Sequence, residues 1–196
     1  MDDRRRLVLA STSAYRRSLL ERLGLPFDCA APGVDESPRD GEAPAETARR
    51  LAQAKAAAVA ARFPDALIIG SDQVASLGAL RLEKPGNHAN AVRQLQALSG
   101  RTAQFDTAVC VLDAARGTAR SRLVPCRVTF RPLSDGVIQA YLRREQPYDC
   151  AGSAKSEGLG IALIERMETD DPTALIGLPL IALTELLAAA GLPVIV

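Results

Sequence analysis

The order of apolar and polar positions marks out most of the chain's elements. Leu7-Val8-Leu9-Ala10 is a short unbroken apolar run, the pattern of a strand buried on both faces. Ser13 is placed to cap a helix over Ala14–Leu23, which Gly24 and Pro26 stop. Phe27–Ala31 reads as a second strand, and Val34–Pro44 as a polar, acidic loop. Glu46–Arg62 is Ala-rich and strongly helical. Ala66–Val74 holds the buried-strand run Leu67-Ile68-Ile69, and Leu77–Pro85 reads as a hairpin and loop. Asn87 caps a helix to Leu98, with His88 read as a surface residue entering it. Thr102–Leu112 and Ala119–Phe130 alternate in polarity on either side of Ala115-Arg116-Gly117 and read as a long antiparallel pair. Ser134 caps a helix to Arg144, Tyr148–Gly160 is a Gly/Ser-rich polar loop, and Ile161–Glu165 a short strand. Leu178–Ala190 is a closing apolar helix ended by Gly191 and Pro193. Early alternation of helix and strand, with an antiparallel pair in the middle, predicts an α/β fold. Its sheet is mixed and partly antiparallel, with flanking helices, in one domain of two lobes.

Composition narrows the functions open to such a fold. In 196 residues, 24 Lys and Arg balance 23 Asp and Glu, a formal net charge of +1. That balance disfavours a protein that coats nucleic acid or binds membranes through a basic patch. Aromatic residues are 4% and Trp is absent, which disfavours extended base-stacking platforms. No apolar run approaches the ~20 residues of a membrane span, and the N-terminal apolar run is too short for a signal peptide. Cys29, Cys110, Cys126 and Cys150 are scattered and read as buried or half-buried free thiols of a soluble, cytoplasmic protein. Only three of the 24 basic residues are Lys (Lys55, Lys84 and Lys155). In so Arg-rich a chain, a surviving Lys marks a place where a compact ammonium serves and a planar fork does not.

Five segments carry candidate chemistry. Ser11-Thr12-Ser13-Ala14-Tyr15-Arg16-Arg17 joins a strand to a helix N-terminus, where free N–H groups and the dipole favour an anion; alone, with no Gly-rich loop, it reads more readily as a capped helix with surface arginines. Asp72, in Gly70-Ser71-Asp72-Gln73, follows a buried strand, as a metal ligand, a general base or a turn cap does. Val34-Asp35-Glu36 offers two loop acids, for a metal or simply for solvent. Lys84 is held extended before Pro85, which aims its ammonium or leaves it an exposed turn lysine. Cys150–Gly158 is a small-residue loop embedding Lys155 and Glu157, open to a ligand or merely flexible. Lys84 and Lys155 fall inside candidate segments, and Lys55 lies on the helix after the acidic loop. Several cations and a few carboxylates, with His88 the only histidine, fit metal-assisted attack of water on a phosphoanhydride.

These motifs, in this order and spacing through Leu175-Ile176-Gly177-Leu178-Pro179-Leu180, resemble the Maf-like nucleotide pyrophosphatases over nearly the whole chain. The resemblance implies a mixed α/β fold with two lobes around a cleft. It implies hydrolysis of a nucleoside triphosphate to the monophosphate and diphosphate, with a divalent cation such as Mg2+ or Mn2+. By the family's pattern Asp72 is the proton acceptor, and Glu36 with Asp72 holds the metal. Arg16, Lys55 and Lys84 bind phosphates, with Ser11 and Ser13 at the same substrate site and Lys155 assisting either the phosphates or the water. Tyr15, Gln73 and Glu157 stand where the family's branches differ, and they resemble the branch acting on 7-methyl-GTP. The chemistry agrees: 7-methylguanine is cationic, Glu157 is able to accept its Watson–Crick-edge N–H groups, and an aromatic face such as Tyr15 stacks on a charged ring. The chain departs from the family in Ala14, where Pro is common, and in Tyr15, where that branch commonly has Trp. A dTTP, UTP or CTP pyrophosphatase of the same family is the alternative, as is a non-catalytic nucleotide-binding regulator of septum formation. The partner implied is a small nucleotide, with no nucleic-acid polymer and no membrane, and a homodimer is compatible with the family.

Overall fold

The structure, a computed structural model, describes residues 5–195. In chain order these form β1 (Leu7–Leu9), α1 (Ala14–Glu21), β2 (Asp28–Cys29), α2 (Pro44–Ala60), β3 (Leu67–Leu77), β4 (Leu80–Leu82), α3 (His88–Leu98), β5 (Thr102–Asp113), β6 (Thr118–Phe130), α4 (Asp135–Glu145), β7 (Ile164–Glu168) and α5 (Leu180–Ala189). Short 3-10 turns lie at Ala151–Ser153, Leu159–Leu163 and Pro172–Ile176. The strands make one mixed sheet in the order β2-β1-β3-β5-β6-β7, with β4 added to β3. β1 is parallel to β2 and β3, Val8 facing Asp28 and Ile68, while β4 is antiparallel to β3 and β7 antiparallel to β6. This is the mixed α/β architecture that the patterning predicts.

The residues divide into two compact units. The first comprises the chain up to Gln73, Thr107–Val124 and the chain from Asp171; the second comprises Val74–Asp106 and Pro125–Asp170. Strands β3, β5 and β6 each pass from one unit to the other.

In the first unit β3 is covered on both faces, and its alternation decides what each side chain meets. Leu67 and Ile69 join Leu7, Leu9, Leu19, Leu20, Leu183 and Leu187 in one core, beneath α1 and α5. Ile68 and Gly70 point the other way, toward α2. Near Gly70 that helix is lined by Ala48, Ala52 and Ala56, all fully buried. In the second unit α3 packs on α4, with Leu95, Leu98, Ile138 and Leu142 fully buried.

Several boundaries differ from the sequence expectation, for local reasons. α2 begins at Pro44 rather than Glu46, because Pro suits the first helical turn and Glu46 accepts the Ala43 N–H at 3.1 Å. β3 runs on to Leu77, continued by its hairpin partner β4. β7 starts at Ile164 rather than Ile161: the N–H groups of Gly158 and Gly160 both donate to the Lys155 carbonyl at 3.0 Å, and the chain stays coiled through Leu163. α5 starts at Leu180, where Asp171 accepts the Ile181 N–H at 2.7 Å. Cys29 is exposed on the two-residue edge strand β2, not buried, whereas Cys110 and Cys126 are buried free thiols.

Gly70 sets the distance between α2 and the sheet. A Cβ there would lie 2.1 Å from the Ala52 carbonyl oxygen and 2.8 Å from the Ala56 nitrogen, both helix backbone atoms. Gly70→Ala therefore forces α2 off the strand. We expect it to destabilise the protein by about 3 kcal/mol or more, read from the midpoint of urea unfolding.

Candidate active site

The side chain two residues beyond Gly70 on the α2 face of β3 is Asp72, and the helix residue between Ala52 and Ala56 that reaches it is Lys55. The Lys55 ammonium donates to Asp72 Oδ1 at 2.6 Å and pairs with Glu36 Oε1 at 2.8 Å. The Lys55 and Asp72 side chains are only 4% and 8% exposed, while Glu36 is 59% exposed. Burial pushes the Asp72 carboxyl above its usual range, opposed by Lys55 and, further off, by Arg16. Lys55 thus holds two carboxylates on one ammonium rather than standing alone as a phosphate-binding cation.

The opposite face of β3 carries Ser71 and Gln73. The Ser71 hydroxyl lies 2.8 Å from the Ala108 carbonyl and 2.9 Å from that of Gly177. Gln73 Nε2 donates to Thr107 Oγ1 at 2.9 Å and lies 2.9 and 3.0 Å from the carbonyls of Ala174 and Leu175. Its amide donors are therefore spent on the protein, which leaves its oxygen as the group to offer a ligand. The Gly177 carbonyl also accepts Arg16 Nε at 2.9 Å. Gly177 has a φ of 117°, a conformation suited to glycine. Among the described residues this tie between the Leu175–Leu180 segment, α1 and β3 is the part of the site that sequence reasoning missed; nothing but that segment's Gly177-Leu178-Pro179 punctuation signals it.

At the start of α1 the two serines cap the helix. Ser11 Oγ accepts the Ser13 N–H at 3.1 Å, and Ser13 Oγ accepts the Arg16 N–H at 3.4 Å. Each hydroxyl keeps its own proton to donate. Tyr15 and Arg16 are half-buried. Burial lowers the Arg16 guanidinium pKa, while Asp72 and Glu36 raise it. Ser11, Ser13, Tyr15, Arg16, Glu36, Lys55, Asp72 and Gln73 thus all belong to the first unit.

Lys84, Lys155 and Glu157 belong to the second unit. Lys84 and Glu157 are exposed. The Lys155 ammonium pairs with Glu145 at 3.2 Å, which raises its pKa and keeps it a cation near neutral pH. The Lys155 N–H donates to the Tyr141 hydroxyl at 3.0 Å, and Glu145 also accepts the Leu159 N–H at 2.7 Å. A Cβ at Gly158 would lie 2.7 Å from the Glu145 carboxylate, so the loop is built around that acid. His88 is not a free surface residue. It opens α3, half-buried, with Nδ1 2.9 Å from the Tyr148 hydroxyl and Nε2 2.8 Å from Gln139 Oε1.

Residues 6–190 match the family model described as Maf-like protein. The chain belongs to the Maf-like family. It is 58% identical over 191 residues to a protein of Albidiferax ferrireducens named 7-methyl-GTP pyrophosphatase, covering 97% of this chain and 96% of that one. Proteins of the same name from Polaromonas sp. and Methylobacillus flagellatus are 60% and 59% identical, covering 95% and 96% of this chain and 85% and 98% of theirs. A solved structure, that of the Staphylococcus aureus Ham1 protein, aligns at a TM-score of 0.45 and 16% identity, covering 64% of this chain and 72% of that one.

In this Maf-like chain the buried Lys55–Asp72 pair makes a stability prediction. A carboxyl whose folded pKa lies above its unfolded one favours folding below the unfolded pKa, and that contribution is lost as pH rises through the folded value. Lys55 is what holds the Asp72 pKa down against burial. Lys55→Met should therefore cost about 3 kcal/mol at neutral pH by leaving a buried charge unpaired. Urea unfolding should show a smaller deficit at about pH 5 than at about pH 8, because Asp72 then takes up a proton.

Proposed function

We propose that this chain hydrolyses 7-methyl-GTP to 7-methyl-GMP and diphosphate. The observation that carries the chemistry is the buried Lys55–Asp72 pair, with Glu36 on the same ammonium. The Asp72 carboxyl is pushed up by burial, the direction that suits a general base, and Lys55 takes Oδ1, leaving Oδ2 to face a water. Asp72 takes the proton of the attacking water, the water oxygen bonds the α-phosphorus, and the bond from that phosphorus to the oxygen bridging to the β-phosphate breaks, releasing diphosphate. Lys55 positions both acids. Arg16, Lys84 and Lys155 carry the phosphate charge, with Ser11 and Ser13 donating their hydroxyl protons. The raised pKa of Lys155 supports a phosphate-binding role over proton abstraction.

The donor chemistry of Glu36 and Asp72, two carboxylates brought to one ammonium, fits a divalent cation. Both are hard oxygen ligands. That suits Mg2+ or Mn2+, which take one or two carboxylates and complete their shell with water and substrate phosphate. When bound, the cation neutralises charge on the phosphates.

Base selection falls to Tyr15, Gln73 and Glu157. The relatives named for 7-methyl-GTP, together with an aromatic at 15 and a carboxylate at 157, support a cationic purine over a pyrimidine. The roles of Lys84, Lys155 and Glu157 rest on the family likeness and on their local chemistry. Both units act as one functional domain in this reading, since three strands run through both. Four free cysteines support a reducing, cytoplasmic setting, and among the described residues no helix is long and apolar enough to cross a membrane. The partner is a small nucleotide, and a homodimer is the assembly that suits the family.

Diphosphate release from the purified protein with Mg2+ or Mn2+, over a panel of nucleotides, tests the assignment. 7-Methyl-GTP should turn over fastest, and a preference for dTTP or UTP would overturn the substrate assignment. Asp72→Asn should lower kcat at least about 100-fold with the fold intact, and full activity would remove Asp72 from the mechanism. Glu157→Gln should lower kcat/KM for 7-methyl-GTP by about tenfold or more, the loss of one charge-assisted contact, and change that for a pyrimidine nucleotide far less.

A further inference from the structure

Lys84 and Lys155 are distant in sequence, yet the backbone beside each is tied to one side chain of α3. Gln94 Nε2 donates to the Glu83 carbonyl at 2.8 Å, and Gln94 Oε1 accepts the Ser153 hydroxyl at 2.6 Å. Glu83 immediately precedes Lys84, and Ser153 lies two residues before Lys155. All of these residues belong to the second unit.

Each arm of this bridge meets backbone that needs holding. On the Lys84 side, Asn90 Nδ2 donates to the Pro85 carbonyl at 2.8 Å, and the Gly86 N–H donates to the Tyr148 carbonyl at 2.9 Å. With Gln94 on Glu83, the chain is fixed before and after a lysine whose side chain is exposed. On the Lys155 side, Ser153 is fully buried at a φ of 56°, a left-handed conformation that a residue other than glycine keeps only when its surroundings hold it. Gly152 before it has a φ of 74°, and a Cβ there would lie 3.3 Å from the Phe105 ring. Two successive left-handed residues turn the chain into Ala154-Lys155, and the Ser153 hydroxyl secures that turn on Gln94.

We infer that Gln94 is a positioning residue, which sets the backbone under Lys84 and under Lys155 against each other so that the two ammonium groups meet one triphosphate together. This rests on the reading above in which both lysines hold phosphate. The amide serves both arms at once, because one end donates to a carbonyl while the other accepts from a hydroxyl. A carboxylate keeps the Ser153 arm and loses the Glu83 arm, and a thioether keeps neither.

The test uses 7-methyl-GTP turnover in the full chain. Gln94→Glu and Ser153→Ala each remove one arm, and Gln94→Met removes both. Each single-arm loss should lower kcat/KM by about tenfold, chiefly through KM, and Gln94→Met by about the product of the two. A simple loss of folded protein would lower kcat and leave KM alone. In a Lys84→Met background, Gln94→Glu should cost no more than about twofold further, while Ser153→Ala should keep its full effect. Thermal melting separates a misfolded variant from a mispositioned one. Wild-type kcat/KM in Gln94→Met, or an unchanged cost of Gln94→Glu without Lys84, would overturn the inference. Should the wild-type protein hydrolyse no nucleotide, the reading above fails by itself. The same variants then report through calorimetric affinity for inorganic triphosphate, where unchanged affinity in Gln94→Met overturns the inference and the same order of losses upholds it.

Discussion

Everything at the site depends on how closely α2 lies on β3. The helix backbone occupies the space a side chain at position 70 would need, and at that separation Lys55 reaches a carboxylate in the middle of β3. Burying a charged pair costs desolvation energy that its attraction only partly offsets. Such a pair is weak support for stability and strong support for a specific geometry, because neither partner has another place to go. Here the pair fixes Asp72 in one orientation and recruits Glu36 from the preceding loop.

The carboxylates of the first unit show how environment separates structural acids from the functional candidate. The Arg5 guanidinium, aided by the Arg116 N–H, holds Asp113 down to about 2, and the Arg50 guanidinium does the same for Glu42. Asp72 also has a cationic partner, yet it is pushed up, because burial outweighs the Lys55 ammonium. An acid held down by an arginine is a fixed anion. One raised by burial and left with a free oxygen is better suited to exchange a proton.

β3 also divides labour by the two-residue period of a strand. Its even positions, from Ile68 to Asp72, face the helix that brings Lys55; its odd positions, Ser71 and Gln73, face the 172–177 turn and Arg16. Four consecutive motif residues thus have four surroundings: Gly70 packs against α2, Ser71 anchors the C-terminal turn, Asp72 pairs with Lys55, and Gln73 commits its amide donors to the protein. Mutating any one of them reports on a different layer of the protein.

The sequence by itself determined the element types, the α/β class, the caps at Ser13, Asn87 and Ser134, and which segments carry the acids and lysines. Those properties are local: they follow from period, capping chemistry and composition within a few residues. Only the tertiary structure decided what each side chain meets. Lys55 reads as a helix lysine after the acidic loop, and folding brings it to Asp72 and Glu36. Gly70 falls within the predicted strand Ala66–Val74, where nothing local singles it out, and folding makes it the contact point of helix and strand. His88 reads as surface and is engaged on both ring nitrogens; Gln94 reads as a helix polar residue and bridges two loops. The physical reason is the same in each case. Partners such as 55 and 72, 16 and 177, or 94 and 153 meet only when separate elements pack, and no pattern within one element records which residue of another will stand opposite.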